Sequence, residues 1–496
     1  MSNSLRLPLA KVAILRPMVD VEQDTRLHNV AWSLANAGAS VTVLHFGRDA
    51  EDSEHVDARG VRWIGVSVRP LQLGSVIHAR KARRAWRPLG PNAGRDFEVW
   101  TRVRQFYRDE TGGRLVATGV GGPERLRLQI RLQRLAVGSA IMRFQDRAFR
   151  SIWRRVDSLH NRLTVAALWR RLVPDLYAYE LAFASRLDKL APDVIHAHDL
   201  TILGVAVRAK RRAILTGRKP VVVWDSIEDW AGLPHHSTIT ARYLAAMLNH
   251  ESEYVGDVDT VITVSNTVAR ALLGRHPCMG QPVIVMNCPK LDEQQPAEGS
   301  LRSVLGLASD VPLMLYSGGI NTARGVDVAI AALMHLPKWH LAVVSVPFPH
   351  PMAPGLLAQA ATLGVSDRVH FAPPVPGAEI VSYLESADVG LIPISTKFAN
   401  LRAAMPNKLF EYINSGLPVV VSNCQEMADF VVENSAGTVF TYPDAAGLAA
   451  AVTAANERFP NGLSADLRSS LARLTTWEYQ EPLLIGAYES LLGRIQ

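Results

Sequence analysis

The feature that most constrains this chain is an alternation. Short β-branched runs are separated by stretches whose apolar residues recur at helical spacing. Near the start, "KVAIL" at 11–15 leads into the helical "DTRLHNVAWSLANAG" and then "SVTVLHF". The series continues with "PDVIHAH" at 192–198, "KPVVVWD" at 219–225 and "VDTVITVS" at 258–265. A second series runs "PLMLYSGG", "WHLAVVSV", "RVHFAPP", "ADVGLIPI", "LPVVVS" and "AGTVF". Such alternation predicts parallel sheets covered by helices on both faces. Between the series lies "NCPKLDEQQPAEGS", a polar, proline-bearing stretch that reads as a linker. At 496 residues the chain exceeds what one core usually organises. The expected fold class is therefore α/β, with two doubly wound lobes facing one another across a cleft. Ligands of such sheets bind beyond the carboxyl ends of the strands, which directs attention to the loops after "YSGG" and "LIPIS".

Composition narrows the class. The chain is 48% hydrophobic and 20% charged, ordinary values for a globular protein. No apolar run reaches the roughly 18 residues of a membrane span, and the N-terminus has no secretory pattern. Three cysteines without a Cys-x-x-Cys pair fit a reducing cytoplasm. No His-Glu-x-x-His spacing occurs among the 15 histidines, and no metal site is expected.

The net charge of +7 is unevenly placed. Residues 71–180 hold 22 Lys+Arg against 9 Asp+Glu, so the rest of the chain is acidic. A local excess argues against a general nucleic-acid binder. Within it, Arg143, Arg147, Arg150 and Arg154 fall at helical spacing beside Phe149, Ile152, Trp153 and Val156. "RLRLQIRLQRL" at 125–135 fits a strand period and a helix period equally. The segment reads as a basic, mainly helical insertion over about 70–175. It is either a helical subdomain with a solvated arginine face or a helix lying on an anionic membrane.

The stretch "MPNKLFEYINSGLPVV" at 405–420 carries the first chemical signal. Pro406 and Asn407 open a helix that Gly416 and Pro418 stop. A helix N-terminus attracts anions, and Lys408 strengthens that field. Glu411, one turn on, either complements the helix dipole or accepts paired hydrogen bonds from ribose hydroxyls. In "YSGGINTARGVDVAI" at 316–330, Gly318 and Gly319 let a backbone approach a ligand, or simply form a tight turn. At the first strand's end, Arg26 in "DTR" is placed for the cleft, or for a surface ion pair with Asp24. His198 and Asp199 in "HAHDL" are cleft residues or a satisfied pair under a helix. The loop "RPMVDVEQDTR" lacks Gly-x-Gly-x-x-Gly, which excludes a nicotinamide dehydrogenase.

An ordered series of motifs resembles glycosyltransferase family 4, the retaining transferases of the GT-B fold. It comprises "LYSGGINTARGVDVAIAAL", "VHFAPPVPGAEIVSYLESADVGLIPI", "NLRAAMPNKLFEYINSGLPVVVS" and "TWEYQEPLLIGAYESLL". "DTRLHNVAWSLANAGASVTVL", "PDVIHAHD" and "VDTVITVSNTVARALL" fit the same family. The resemblance implies an N-terminal acceptor-side lobe over 1–290 and a nucleotide-sugar lobe over 291–475. A C-terminal helix over 476–496 would pack back on the first lobe. It implies a donor site of Gly318, Gly319, Arg324, Pro374, Val375, Asn407, Lys408 and Glu411. Glu411 would hold the ribose, Arg324 the diphosphate, and the Pro374–Val375 loop the base. Arg324 and Lys408 would be catalytic. Asp24, Arg26, His198, Asp199 and Glu228 would face the acceptor.

Three positions depart from the family. Ala403 stands where the first Glu of its Glu-(x)7-Glu motif belongs, Gly319 where an arginine is usual, and Ile227 where a histidine is common. The family's same-face attack lets the departing diphosphate take the acceptor's proton, so it needs no protein nucleophile. The expected activity is metal- and cofactor-independent hexosyl transfer from a UDP- or GDP-sugar to a glycan or lipid-linked acceptor. The setting would be cell-surface polysaccharide or glycolipid assembly, in the cytoplasm or on the inner face of the plasma membrane. An epimerase of the same shape is disfavoured by the motif series. A non-catalytic GT-B subunit partnering another transferase is the alternative.

Overall fold

The computed structural model describes residues 7, 10–19, 21–47, 51–67, 122–163, 169–170, 173, 175–233 and 241–493. Two sheets organise them. The first contains β1 (Lys11–Arg16), β2 (Ser40–Gly47), β3 (Ser53–Val56), β4 (Arg62–Ser67), β5 (Val194–His198), β6 (Val221–Ser226), β7 (Thr260–Thr263) and β8 (Val283–Ile284). Their order is β3-β4-β2-β1-β5-β6-β7-β8, parallel except for the β3–β4 pair. The second contains β9 (Leu313–Gly318), β10 (His340–Ser345), β11 (Val369–Ala372), β12 (Val389–Ile392), β13 (Val419–Ser422) and β14 (Gly437–Phe440). Its order is β11-β10-β9-β12-β13-β14, and every pair is parallel.

Strand order reverses at β1/β5 in the first sheet and at β9/β12 in the second, and each reversal opens a crevice at the strands' carboxyl ends. The central strands are buried on both faces: all five residues of β5 and all six of β6 are covered. That explains why "VIHAH" and "VVVWD" read as continuous runs rather than as alternating ones. The helix Trp477–Leu492 lies on the first sheet's apolar layer through Trp477, Leu484, Ile485 and Leu491. Trp477 Nε1 donates to Ser33 Oγ at 2.9 Å.

The "RLRLQIRLQRL" stretch is helical, within a single helix over Gly122–Leu163. Leu128 is buried and Leu132 and Leu135 are half-buried, so the 3.6-residue period prevailed over the alternation. Residues 68–121, most of the basic segment's first half, lie outside the described residues. So do the side chains of Arg143, Arg147, Phe149, Arg150, Trp153, Arg154 and Val156.

The lobes touch beside the cleft. The backbone N–H of Asp229 donates to Asn400 Oδ1 at 3.0 Å. Ser265 Oγ donates to the Ala403 carbonyl at 3.3 Å, and Thr267 Oγ1 donates to the Glu426 carboxylate. A Cβ on Gly232 would sit 2.5 Å from the backbone nitrogen of Asn400, so the approach requires glycine.

Candidate active site

On the C-terminal side the site starts from glycine geometry. Gly318 ends β9 at φ +109°, and a Cβ there would lie 3.4 Å from Lys408 Nζ. Gly325, at φ +70°, starts the helix Val326–Ala332, and its Cβ would fall 1.9 Å from the Pro393 carbonyl oxygen. Only glycine permits that contact, which ties the loop after β9 to the loop after β12. The Ser395 N–H donates to the Ala323 carbonyl at 2.9 Å, fixing the same two loops.

The helix Asn407–Asn414 enters from Pro406 without a side-chain cap. Its inward residues Leu409, Phe410, Tyr412 and Ile413 are buried. The Tyr412 hydroxyl accepts from the Ser317 N–H at 2.7 Å, locking the helix to the end of β9. This places Lys408 beside the glycine turn. Its ammonium lies 3.6 Å from the centre of the Tyr316 ring and is buried. Burial drives the Lys408 pKa well below its ordinary value; the Arg324 charge adds to this and Glu411 opposes it. Glu411 is half-buried, and desolvation pushes its carboxyl up to about 7 against the pull of Lys408. Arg324 is half-buried, near enough to feel Tyr316, Lys408 and Glu228, and its guanidinium makes no ion pair among the described residues. Asn407 is half-buried at the helix start, Gly319 is exposed, and Pro374 and Val375 line the loop after β11. A buried lysine, a half-buried arginine, a half-buried carboxyl and an open backbone turn thus share one end of the second sheet.

Across the cleft, the first sheet presents Asp24, Asp199 and Glu228. Asp24 caps the helix Thr25–Asn36 by accepting from the Leu27 N–H. Asp199 caps Leu200–Leu215 from φ +115°, a strained value for a non-glycine residue. Both Asp199 and Glu228 are held above the usual carboxylate range by desolvation, and Glu228 also by Asp199; Arg324 and Arg16 pull Glu228 down. Arg16, which sequence reasoning missed, stands among them. Its Nη2 lies 2.9 Å from Asp24 Oδ2, and its Nη1 lies 3.9 Å from Asp199 Oδ2 and donates to the His198 carbonyl. An arginine as the last residue of the first strand was the available signal.

Two expectations need correction. Arg26 does not face the cleft and does not pair with Asp24. It is buried, with Nε and Nη2 each donating to an Asp225 oxygen at 2.8 Å and Nη1 to the Val285 carbonyl. Asp225 is fully enclosed at the end of β6, and a buried carboxylate requires such a counter-charge. His198 is also fully buried, below the cleft. Its Nδ1 is 3.3 Å from Asp225 Oδ2 and its Nε2 is 3.7 Å from Asp24 Oδ2. Burial opposes the imidazolium, but the two carboxylates prevail and raise its pKa. His196, on the same face of β5, is hydrogen-bonded through Nδ1 to the Tyr488 hydroxyl at 2.6 Å. Donor atoms of His196, His198 and Asp225 lie within 4.8 Å of one another, a spacing a metal ion would accept. Arg26 already engages both Asp225 oxygens, so the cluster's positive partner is the guanidinium.

Ala403 is buried in an apolar cluster with N-terminal residues such as Leu200 and Trp224. Ile227 is half-buried, one residue before Glu228.

Paired doubly wound sheets with converging carboxyl ends and a cationic helix start define a GT-B glycosyltransferase scaffold. Residues 141–289 match glycosyltransferase family 4, and residues 311–457 match glycosyl transferases group 1. The chain belongs to glycosyltransferase family 4. A D-inositol 3-phosphate glycosyltransferase of Xylanimonas cellulosilytica is 32% identical over 153 residues, 30% of this chain. The match spans only 35% of that relative's length. Among solved structures, sucrose-phosphate synthase from Thermosynechococcus elongatus superposes with a TM-score of 0.64 at 16% identity, covering 98% of this chain and 100% of that one. Anabaena HepE, solved with UDP-glucose, gives 0.57 at 12% identity, over 97% and 100%.

Proposed function

We propose that the protein is a retaining glycosyltransferase that moves a sugar from a nucleotide-diphosphate donor, a UDP- or GDP-sugar, to a glycan or lipid-linked acceptor. The observation that carries this reading is the meeting of Lys408, Arg324 and Glu411 at the Gly318–Gly319 turn. A buried lysine and a guanidinium with no ion pair among the described residues are positioned to neutralise a diphosphate, and the anion would in turn restore the charge on Lys408. Glu411 would accept from the ribose hydroxyls, and the loop at Pro374 and Val375 would line the base. That HepE was solved with UDP-glucose supports a donor of this class.

In the transfer, the bond between the sugar's anomeric carbon and the diphosphate oxygen breaks as an acceptor hydroxyl attacks from the same face. The hydroxyl proton passes to the departing diphosphate. Arg324, Lys408 and the helix start stabilise charge that grows on the leaving oxygen, which lowers the barrier rather than merely tightening binding. With Arg324 and a Lys408 recharged by the bound anion, the diphosphate's charge would be met by side chains. The acceptor would lie against Asp24, Asp199 and Glu228, with Arg16 fixing two of those carboxylates. We infer that the reaction serves cell-surface polysaccharide or glycolipid assembly, at an anionic membrane surface.

Ala403 favours a second reading, a non-catalytic subunit, because the first glutamate of the family's motif is absent and the position packs against the other lobe. Saturation-transfer NMR with UDP, GDP and ADP separates the two. A transferase gives signal from at least one nucleotide that Glu411→Gln weakens, whereas a pure scaffold gives none.

A further inference from the structure

The helix Gly122–Leu163 has two apolar faces, and among the described side chains only one is covered. Leu128 is buried and Leu132 and Leu135 are half-buried, so this side rests on protein. The other side carries Leu126, Ile130, Val137, Ile141, Phe144 and Ile152, all exposed, from 41% at Ile152 to 69% at Phe144. At 3.6 residues per turn these six fall within an arc of about 80°, roughly opposite Leu128. They form one stripe about 40 Å long. Scattered exposed leucines need no explanation, but a continuous stripe of this length does.

We propose that this stripe is a docking face for an anionic lipid bilayer. The helix lies flat, with Leu126, Ile130, Val137, Ile141, Phe144 and Ile152 inserted at the headgroup boundary. This deepens the membrane-surface part of the reading above by naming the face that makes the contact. Charge selects the occupant. The helix carries ten arginines against Glu124, Asp146 and Asp157. Exposed Arg127, Arg131 and Arg134 border the stripe along one edge, where their stems cover apolar surface and their guanidinium groups reach phosphates. A second copy would bring the same positive helix against itself, so like charges oppose a homodimer on this face. A bilayer rich in anionic lipid meets both the charge and the apolar stripe. The helix lies on the membrane rather than crossing it, since no helix among the described residues is long and apolar enough to span one.

The test uses the full chain and vesicles of phosphatidylcholine with roughly three parts in ten phosphatidylglycerol. Wild type should float with these vesicles at low salt and far less with pure phosphatidylcholine. Val137→Ser/Ile141→Ser/Phe144→Ser should lose about tenfold or more in partitioning, with unchanged circular dichroism. Arg127→Gln/Arg131→Gln/Arg134→Gln should lose the preference for phosphatidylglycerol while keeping its fold. The proposal is overturned if wild type stays unbound at low salt, or if the triple serine variant floats as well as wild type. It is equally overturned if light scattering finds a dimer that the serine changes dissolve, which would assign the stripe to a second copy. Nucleotide binding is measured on the same samples: protein that floats but binds no nucleotide keeps the docking face and sinks the transferase reading.

Discussion

The ammonium of Lys408 lies 3.6 Å from the centre of the Tyr316 ring, buried and facing the glycine turn at the end of β9. A cation held this way is costly alone and favourable beside an anion. The same holds, with the sign reversed, for Glu411 one turn away. On the donor-site reading proposed above, these two groups would trade stability for ligand recognition, an exchange that can be measured.

Glu411→Gln should make the unliganded protein more stable and bind nucleotide worse. Burial raises the Glu411 pKa from 4.5 to about 7, so its proton-bound form is favoured by folding. The resulting penalty is absent below about pH 4.5 and complete above about pH 7. The variant should gain on the order of 1–2 kcal/mol at pH 8 and little at pH 5, read by thermal denaturation. Its nucleotide affinity should fall about 10- to 100-fold at pH 8, as expected for lost hydrogen bonds to a carboxylate. The affinity gap between wild type and variant should narrow toward pH 5.5, where the wild-type carboxyl is also protonated. Equal affinities at pH 8 would remove Glu411 from the donor site.

Arg324→Ala should lower kcat by about 10²–10³-fold, with a smaller change in nucleotide affinity, because charge on the leaving oxygen grows toward the transition state. Arg324→Lys should recover much of the loss, as a cation at the same turn can still face the diphosphate. A normal kcat in the alanine variant would refute the role.

Gly232→Ala tests the contact between the lobes. The new Cβ would meet the Asn400 nitrogen at 2.5 Å and displace the segment that receives the Asp229 hydrogen bond. Nucleotide binding, which the proposed site confines to the second lobe, should stay unchanged while kcat/KM falls. Loss of both together would point to misfolding instead, which thermal denaturation would reveal.

His198→Gln addresses the buried ion cluster. The raised His198 pKa means the imidazolium stabilises the fold fully below about pH 6.5 and progressively less as pH climbs through the folded value. The melting-temperature gap between wild type and variant should therefore be widest near pH 6 and shrink toward pH 9. A gap that widens with pH would show that His198 is buried neutral.

Much of the architecture was legible because parallel strands buried on both faces are written as unbroken β-branched runs. "KVAIL", "LMLY" and "VVVS" announce themselves. "SEHV" at β3 does not, since it is exposed throughout, and the two residues of β8 are too short to carry a period. That Lys408, Arg324 and Glu411 come together was legible because they sit around two loops and a helix start. The surroundings of Arg26 were harder to read for a physical reason. Arg26 and Asp225 are 199 positions apart, and only the pairing of β5 with β6, His198 opposite Asp225, shows that a buried carboxylate claims that arginine. Arg16 was overlooked although it follows from the same strand-end rule that had drawn attention to Arg26.

Transfer of sugar from a nucleotide by this cleft can be assayed directly. Purified protein is incubated with UDP-, GDP- and ADP-sugars and a membrane extract as acceptor, and products are followed by mass spectrometry. One donor should be consumed, with nucleoside diphosphate released and a glycosylated product formed, and Arg324→Ala should abolish most of this. A wild-type protein that consumes none of the donors and shows no nucleotide signal by NMR would contradict it.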